Sequence, residues 1–159
     1  MALFGKGNTV DVLLVEDSLG DIRLTLEAFA EANPSVALQV AMDGEEAMAI
    51  LRREGIHARA PRPDLILLDL NLPKIDGRQV LAGIKKDISL RLIPTIILTM
   101  SDDKMDILKC FELQANSYLC KPVDLDAFDK VVKSINDFWI ARSRLPRLEQ
   151  NGFLAQATL

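Results

Sequence analysis

Short runs that are apolar at almost every position constrain the fold of this chain most strongly. Leu65–Leu68 (LILL) is wholly apolar and stops at Asp69, and residues 93–98 (IPTIIL) stop at Thr99. Val10–Val15 (VDVLLV) is a third, largely apolar run. A strand with one solvated face alternates apolar and polar residues, whereas a continuous apolar run is typical of a strand covered on both faces. The runs therefore predict a parallel sheet with helices on both sides.

Segments with helical spacing lie between these runs. Apolar residues recur every three or four positions in 17–33, 45–53 and 78–86. Capping residues at 101–103 and at Asp124 predict two further helices, ending near Leu113 and Ser143. Val36–Ala41 and residues 116–120 complete five strands. This alternation predicts an α/β fold, a doubly wound five-stranded parallel sheet of flavodoxin-like strand order 2-1-3-4-5, flanked by five helices.

The length and composition indicate a single domain. The chain has 159 residues and a net charge of −4, which argues against nucleic acid as the main partner. No signal-peptide core and no apolar run near the ~18 residues of a membrane span is present, so we expect a cytoplasmic protein without membrane contact. We divide it into an N-terminal extension (1–9), the domain (10–143), and a C-terminal tail or dimer arm (144–159).

Polar residues collect where the predicted strands end. In a doubly wound sheet the ligand site lies at these carboxyl ends. The residues just past the strands are Glu16, Asp17, Asp69, Asn71, Thr99, Ser101 and Lys121. Clustered carboxylates without histidine or thiolate ligands indicate a hard cation, Mg²⁺ or alternatively Mn²⁺. We assign Asp17, Asp69 and the Asn71 backbone carbonyl as direct ligands, and Glu16 as a ligand through water.

The same residues suit phosphoryl transfer onto Asp69. A carboxylate can attack phosphorus once its charge is neutralised, and each phosphoryl oxygen then needs a partner. The cation, the Lys121 ammonium, and the Thr99 hydroxyl with nearby N–H groups would supply these partners. Taken singly, each residue has a simpler interpretation: Asp17 as a helix cap, Thr99 as a strand-end hydroxyl bonded to backbone, and Lys121 as a solvated side chain.

The complete pattern resembles the receiver domain of bacterial response regulators over residues 10–140. The pattern comprises Glu16-Asp17, Asp69 with Leu72-Pro73 and Gly77, Thr99, and Lys121-Pro122. The resemblance implies phosphotransfer from a sensor histidine kinase to Asp69 with Mg²⁺, followed by autodephosphorylation. It implies no other enzymatic activity. It also implies a switch pair, Thr99 and the fifth-strand aromatic Tyr118, in which Tyr118 follows Thr99 inward on phosphorylation.

Several stretches are similar to the stand-alone regulators that accompany bacterial phytochromes. They include EDSLGDIRLTLEAF, DLNLPKIDG and the FWI…RLP ending. This similarity implies that the kinase is a red/far-red photoreceptor and that the chain forms a homodimer through its last helix and C-terminal arm.

Two positions depart from the common receiver pattern. Met100 is bulkier than the small residue usual after the switch threonine. We expect Met100, together with Asn71, to control access to Asp69. Glu16 replaces the usual aspartate, and it should still contact the metal ion through a water molecule.

The end of the chain suggests how a signal leaves the domain. We expect no fused output domain, so that output passes to another protein, such as a histidine phosphotransfer protein. The predicted inward stripe of the last helix is Leu125, Phe128, Val131, Val132, Ile135 and Phe138. Trp139 and Ile140 widen it, so Phe138, Trp139 and Ile140 form a candidate dimer or partner surface. The alternative is local packing against Phe111 or the tail.

Three other functions remain open. A haloacid-dehalogenase-type phosphatase also uses a strand-end aspartate, but it needs a second aspartate where Asn71 stands. A flavodoxin-like nucleotide or flavin module needs a glycine-rich phosphate cradle that these loops lack. A pseudo-receiver would bind partners without phosphorylation, and the filled site positions argue against it.

Overall fold

A computed structural model of the protein, described here for residues 9–146, contains one sheet of five parallel strands in the order β2-β1-β3-β4-β5. The strands are β1 Val10–Val15, β2 Val36–Ala41, β3 Leu65–Leu68, β4 Thr95–Thr99 and β5 Ser117–Cys120. The helices are α1 Leu19–Ala32, α2 Gly44–Arg52, α3 Gly77–Lys86, α4 Lys104–Glu112 and α5 Leu125–Ile135. The predicted fold class and strand order are confirmed. Almost all of the N-terminal extension, and the tail after Pro146, lie outside the described residues.

Two hydrophobic clusters cover the two faces of the sheet. Successive strand residues point to opposite faces, so Leu13 and Val15 enter one cluster while Val12 and Leu14 enter the other. The first cluster includes residues of α2, α3 and α4, and the second includes residues of α1 and α5. Burial on both faces explains why the central strands are apolar without alternation.

The register of the strands brings their carboxyl ends to one edge. Val15 lies opposite Leu68 in the β1–β3 pair, and Leu68 lies opposite Ile97 in the β3–β4 pair. The ladder continues past the strand ends, because the Asp69 N–H donates to the Val15 carbonyl at 3.0 Å. The Lys121 N–H likewise donates to the Thr99 carbonyl at 2.7 Å. Residues that follow different strands are thereby fixed side by side.

The last helix ends earlier than the sequence predicts. α5 is α-helical only to Ile135, and a π-helical turn follows over Asn136–Ile140. In this wider turn the Ala141 N–H donates to the Asn136 carbonyl at 2.8 Å. The Asn136 side chain is buried and accepts a hydrogen bond from Asn33 at the end of α1, at 3.1 Å. This hydrogen bond satisfies the buried amide oxygen and ties the start of the π-helical turn to the end of α1.

The predicted inward stripe of this helix is wrong at both ends. Leu125 is 63% exposed and Phe138 is 60% exposed, whereas Phe128, Val132 and Ile135 are buried. Leu125 is the first residue of α5, and Phe138 lies in the π-helical turn, which breaks the α-helical phase on which the stripe was based.

Trp139 and Ile140 are half-buried and pack, together with Leu145, against the core on the α1–α5 side. The Phe138 ring meets Trp139 edge to face, with centroids 5.4 Å apart. Of the three residues of the candidate partner surface, Phe138 alone is mostly exposed.

Within residues 9–146, none of the helices has the length and apolar character that a membrane-spanning segment requires.

Candidate functional site

A buried lysine joins three carboxylates at the carboxyl edge of the sheet. Lys121 Nζ lies 3.0 Å from Asp69 Oδ2 and 3.0 Å from Asp21 Oδ2, and it also bonds directly to Glu16 Oε2. Lys121, Glu16 and Asp69 are all buried. Three acids around one cation leave a net negative pocket in which a further cation is favourable.

Burial and charge shift the pKa values in this pocket. Removal from water raises the pKa of Glu16, against hydrogen bonds from Lys121 and the Ser18 N–H that lower it. For Lys121, burial by itself lowers the pKa, but the Glu16 hydrogen bond and the Asp69 charge outweigh it, and the net shift is upward. The lysine is therefore held as an ammonium ion.

A group of carboxylates beside Lys121 is arranged as a metal site. Glu16, Asp17 and Asp69 each offer an oxygen, and these oxygens lie within 4.8 Å of one another. Asp17 is exposed, while the other two are buried. Both Glu16 oxygens already have partners, because Oε1 accepts from the Ser18 N–H at 3.0 Å and Oε2 accepts from Lys121. An all-oxygen set of this kind fits Mg²⁺ or Mn²⁺.

The backbone around Asp69 is held by close packing of α3. Asp69 Oδ1 accepts a hydrogen bond from the Asn71 N–H at 3.3 Å. The Gly77 N–H donates to the Leu70 carbonyl at 2.9 Å, and a Cβ at Gly77 would lie only 2.2 Å from the Asp69 carbonyl oxygen. Position 77 therefore requires glycine, because this approach of α3 to Asp69 leaves no room for a side chain.

The predicted switch residues are linked through the loop after β4. Thr99 is fully buried, and its Oγ1 accepts from the Ser101 N–H at 3.5 Å. Tyr118 is half-buried against the core, and its hydroxyl donates to the Ser101 carbonyl at 2.8 Å. Burial raises the pKa of the Tyr118 phenol, with the Ser101 hydrogen bond opposing that shift, so the hydroxyl stays a donor at neutral pH.

The two residues expected to control access lie on the surface. Met100 is 61% exposed, directly after Thr99, and Asn71 is exposed two residues after Asp69. Both flank buried residues of the pocket. Their role in access remains a prediction.

Three residues of this region were missed by the sequence reasoning. Asp21, in the first turn of α1, contacts Lys121, and its position shortly after Glu16-Asp17 was the available signal. Arg78 and Asp106 form an ion pair between α3 and α4, at 2.5 Å from Nη2 to Oδ1. No local sequence pattern predicts this ion pair, because the two residues are 28 positions apart.

Comparison with known proteins identifies the family. The model of the response regulator receiver domain matches residues 12–133, which is most of the chain. The chain belongs to the response regulator receiver family. In this receiver, the buried aspartate, lysine and threonine stand at the ends of β3, β5 and β4, where the sequence analysis placed the family's motif.

Two relatives are particularly similar to this receiver. Response regulator Rcp1 of Synechocystis sp. is 44% identical over 135 residues, covering 85% of this chain and 92% of its own length. Its crystal structure in a Mn²⁺-bound form has a TM-score of 0.84, with 87% of this chain and 99% of that chain covered. The phosphorylated cyanobacterial phytochrome response regulator RcpA is 46% identical, with a TM-score of 0.85 and the same two coverages. Receiver domains bind Mg²⁺, and the three carboxylates of this chain are compatible with such a site.

Proposed function

We propose that this receiver accepts a phosphoryl group on Asp69 from a sensor histidine kinase and signals through contacts with other proteins. The observation that carries the proposal is the position of Lys121, whose ammonium lies 3.0 Å from Asp69 Oδ2 in a buried pocket. A buried ammonium beside a strand-end aspartate provides the charge that an incoming phosphoryl group needs.

Each residue of the pocket has a distinct role in the transfer. An Asp69 carboxylate oxygen forms the new bond to phosphorus as the bond to the kinase histidine nitrogen breaks, and the imidazole keeps the electron pair. Lys121 binds one phosphoryl oxygen. The Thr99 hydroxyl donates to another, because its oxygen already accepts from the Ser101 N–H and its own proton can be directed into the pocket.

Mg²⁺ would be held by Asp17, Asp69 and the Asn71 backbone carbonyl, with Glu16 acting through water. Glu16 suits the indirect role because Lys121 and the Ser18 N–H engage its two oxygens. The ion supplies neutralisation of the carboxylate and phosphoryl charges. Asp17 is the exposed member of the set, so it would bind the ion without giving up a buried hydrogen bond.

We further propose that the kinase is a phytochrome. The support is the identity of 46% to RcpA, whose description is a cyanobacterial phytochrome response regulator, together with 44% to Rcp1. In this proposal the protein acts in the cytoplasm, and its only catalysis is of its own phosphorylation and dephosphorylation.

Output would pass through exposed apolar side chains near α4 and α5, to a second copy of the chain, a histidine phosphotransfer protein or another target. Phe138 is 60% exposed, and Met105, Leu108 and Phe111 on α4 are at least half exposed. Exposed apolar residues in this number are typical of protein-binding surfaces. Among the predicted surface residues, Phe138 is best placed to contact a partner.

Phosphotransfer profiling tests the proposal. Candidate kinases labelled with radioactive phosphate, including a phytochrome in red and in far-red light, are mixed with the protein and Mg²⁺. We expect rapid transfer from one kinase, absence of transfer in EDTA, and absence in Asp69→Asn. Label that persists in Asp69→Asn would overturn the assignment of Asp69. Binding of partners that is the same with and without phosphorylation would support the pseudo-receiver alternative instead.

A further inference from the structure

Ser101 connects the β4–α4 loop to the switch residues on both sides of it. Its N–H donates to Thr99 Oγ1 at 3.5 Å, and its carbonyl accepts from the Tyr118 hydroxyl at 2.8 Å. The exposed Cys120 thiol also approaches that carbonyl, with Sγ at 3.4 Å. The peptide segment at Ser101 therefore contacts both the Thr99 hydroxyl and the Tyr118 hydroxyl.

The Ser101 side chain is anchored by charged residues. Its hydroxyl donates to Asp106 Oδ2 at 2.6 Å, and it accepts from the Asp103 N–H at 3.3 Å. The other Asp106 oxygen, Oδ1, accepts from Arg78 Nε at 3.1 Å and from Nη2 at 2.5 Å. Arg78 Nη1 in turn lies 3.1 Å from both carboxylate oxygens of Asp76, the residue that caps α3. Hydrogen bonds between charged groups of this kind are stronger and more directional than neutral ones.

These contacts are connected to Asp69 through the backbone at the start of α3. Arg78 follows Gly77, whose α carbon is packed against the Asp69 and Leu70 backbone. The path therefore runs from the end of β3 through the start of α3 to α4, and back through Ser101 to the end of β4. We call Arg78, Asp106 and Ser101 the clasp.

Tyr118 lies inward in this structure. Its ring packs against the core cluster and its hydroxyl is held by the Ser101 carbonyl. The resemblance to receivers implies an inward aromatic as a consequence of phosphorylation. The clasp provides a further physical reason for the inward position, since it fixes the carbonyl to which Tyr118 bonds.

We infer that Arg78, Asp106 and Ser101 are positioning residues, which hold Thr99 and Tyr118 in the arrangement that accepts a phosphoryl group. The inference rests on the proposed function, because it takes Thr99 and Tyr118 as the switch pair of Asp69. It adds that residues of α3 and α4, which lie outside the pocket, help to fix the positions of Thr99 and Tyr118.

The consequence follows from the populations of the two arrangements. A ligand that binds only one arrangement has its apparent affinity reduced by the fraction of molecules in that arrangement. With the clasp intact this fraction is close to one. If removal of the clasp lowers it to between a fifth and a tenth, a phosphoryl analogue binds about five- to tenfold more weakly. Mg²⁺ alone contacts other residues, and its affinity should not change.

The single tyrosine of the chain makes the experiment specific. The full chain is labelled with 3-fluorotyrosine, and the ¹⁹F NMR signal of Tyr118 is recorded without phosphoryl analogue in H₂O and in D₂O. The variants are Asp106→Ala, Ser101→Ala and Arg78→Gln, with Asp106→Asn as the conservative replacement that keeps an acceptor for Ser101. The matched control is Asp129→Ala, which removes a surface ion pair with Lys133 at 3.1 Å on α5. Titrations with Mg²⁺ alone, and with beryllofluoride in excess Mg²⁺, follow on each protein.

We expect one solvent-protected signal in the wild type and in Asp129→Ala. The three clasp variants should show a larger solvent isotope shift and a beryllofluoride half-saturation raised about five- to tenfold, with Asp106→Asn between them and the wild type. Unchanged Tyr118 signals and unchanged beryllofluoride binding in all three variants would overturn the inference. An equal loss of Mg²⁺ affinity would also overturn it, since that result indicates general damage. A wild-type protein that fails to bind beryllofluoride would refute the proposed function, whereas the Tyr118 signals of the free proteins would still decide the clasp.

Discussion

The Nζ atom of Lys121 lies 3.0 Å from Oδ2 of Asp69, in a pocket that leaves only 7% of each residue exposed. The same nitrogen bonds to Glu16 and Asp21, so one lysine from the end of β5 bridges acids from the ends of β1 and β3 and from the start of α1. Before phosphorylation, Lys121 therefore stabilises a cluster of acids that would otherwise repel one another. This double role leads to the first prediction.

Lys121→Met should destabilise the metal-free protein by about 3 kcal/mol, because it leaves buried carboxylates without their cation. Mg²⁺ should restore much of this loss and should bind more tightly than in the wild type, since the competing ammonium is gone. Urea unfolding in EDTA and in Mg²⁺ measures both effects. Lys133→Met, which removes an exposed lysine paired with Asp129, is the control and should unfold as the wild type does. Equal unfolding of the two variants would contradict the prediction.

Asp17→Asn should abolish metal binding while leaving the metal-free fold unchanged, because Asp17 is the exposed member of the three grouped carboxylates. A bound ion at one hundred times its dissociation constant adds about 2.7 kcal/mol to the unfolding free energy. That increment should disappear in Asp17→Asn and persist in Asp102→Asn, an exposed acid in the loop after β4. Titration with Mn²⁺, followed by its electron paramagnetic resonance signal, provides the direct measurement. Equal Mn²⁺ binding by both variants would remove Asp17 from the site.

Met100→Ala should speed labelling of Asp69 by acetyl phosphate and shorten the lifetime of the phosphorylated protein. The reason is that the bulky, exposed Met100 directly follows Thr99, where we expect it to narrow access to Asp69. Both rates can be read from the radioactive label. Met105→Ala, which shortens a methionine of α4 that is 70% exposed, serves as the control. If the rates in Met100→Ala match those of the control, Met100 does not limit access to Asp69.

The ion pair of the clasp should make stability depend on pH in acid. The Ser101 hydrogen bond and the Arg78 guanidinium hold the pKa of Asp106 below its usual value of 3.8. A carboxyl whose pKa is lower in the folded state contributes stability that is complete above its unfolded pKa, and that is lost as the pH falls through the folded one.

The difference in unfolding free energy between the wild type and Asp106→Asn should therefore be constant near neutral pH and should shrink below about pH 4. Urea unfolding of both proteins between neutral pH and the acid limit of folding provides the test. A difference that grows toward acid would contradict the sign of the shift.

Truncation of Trp139 should affect mainly stability, whereas truncation of Phe138 should affect mainly self-association. Trp139 packs on the core, so Trp139→Ala should lower the unfolding free energy by about 1–3 kcal/mol. Phe138 is mostly exposed, so Phe138→Ala should change stability little and should weaken self-association. Urea unfolding and sedimentation equilibrium separate the two effects. Self-association that is unchanged in Phe138→Ala would exclude Phe138 from a dimer interface.

The secondary structure was largely predictable because its signals are local. β1, β2 and β3 have the predicted bounds, since apolar runs interrupted by Asp, Gly and Pro mark buried strands directly. The end of α5 was not predictable in this way. The π-helical turn begins at Asn136, whose side chain bonds to Asn33, and these two residues are 103 positions apart. The exposure of Leu125 and Phe138 likewise depends on what lies opposite them in the fold.

The sequence by itself determined the fold class and the set of residues at the sheet edge, because a parallel sheet with crossover helices must bring its strand ends together. Asp17, Asp69, Thr99 and Lys121 could be placed at one edge from their positions alone. Only the tertiary structure decided which of them touch. The bonds from Lys121 to Asp21, from Arg78 to Asp106 and from Tyr118 to Ser101 join residues that are 100, 28 and 17 positions apart. Such contacts depend on side-chain geometry between packed elements, for which a linear pattern carries no signal.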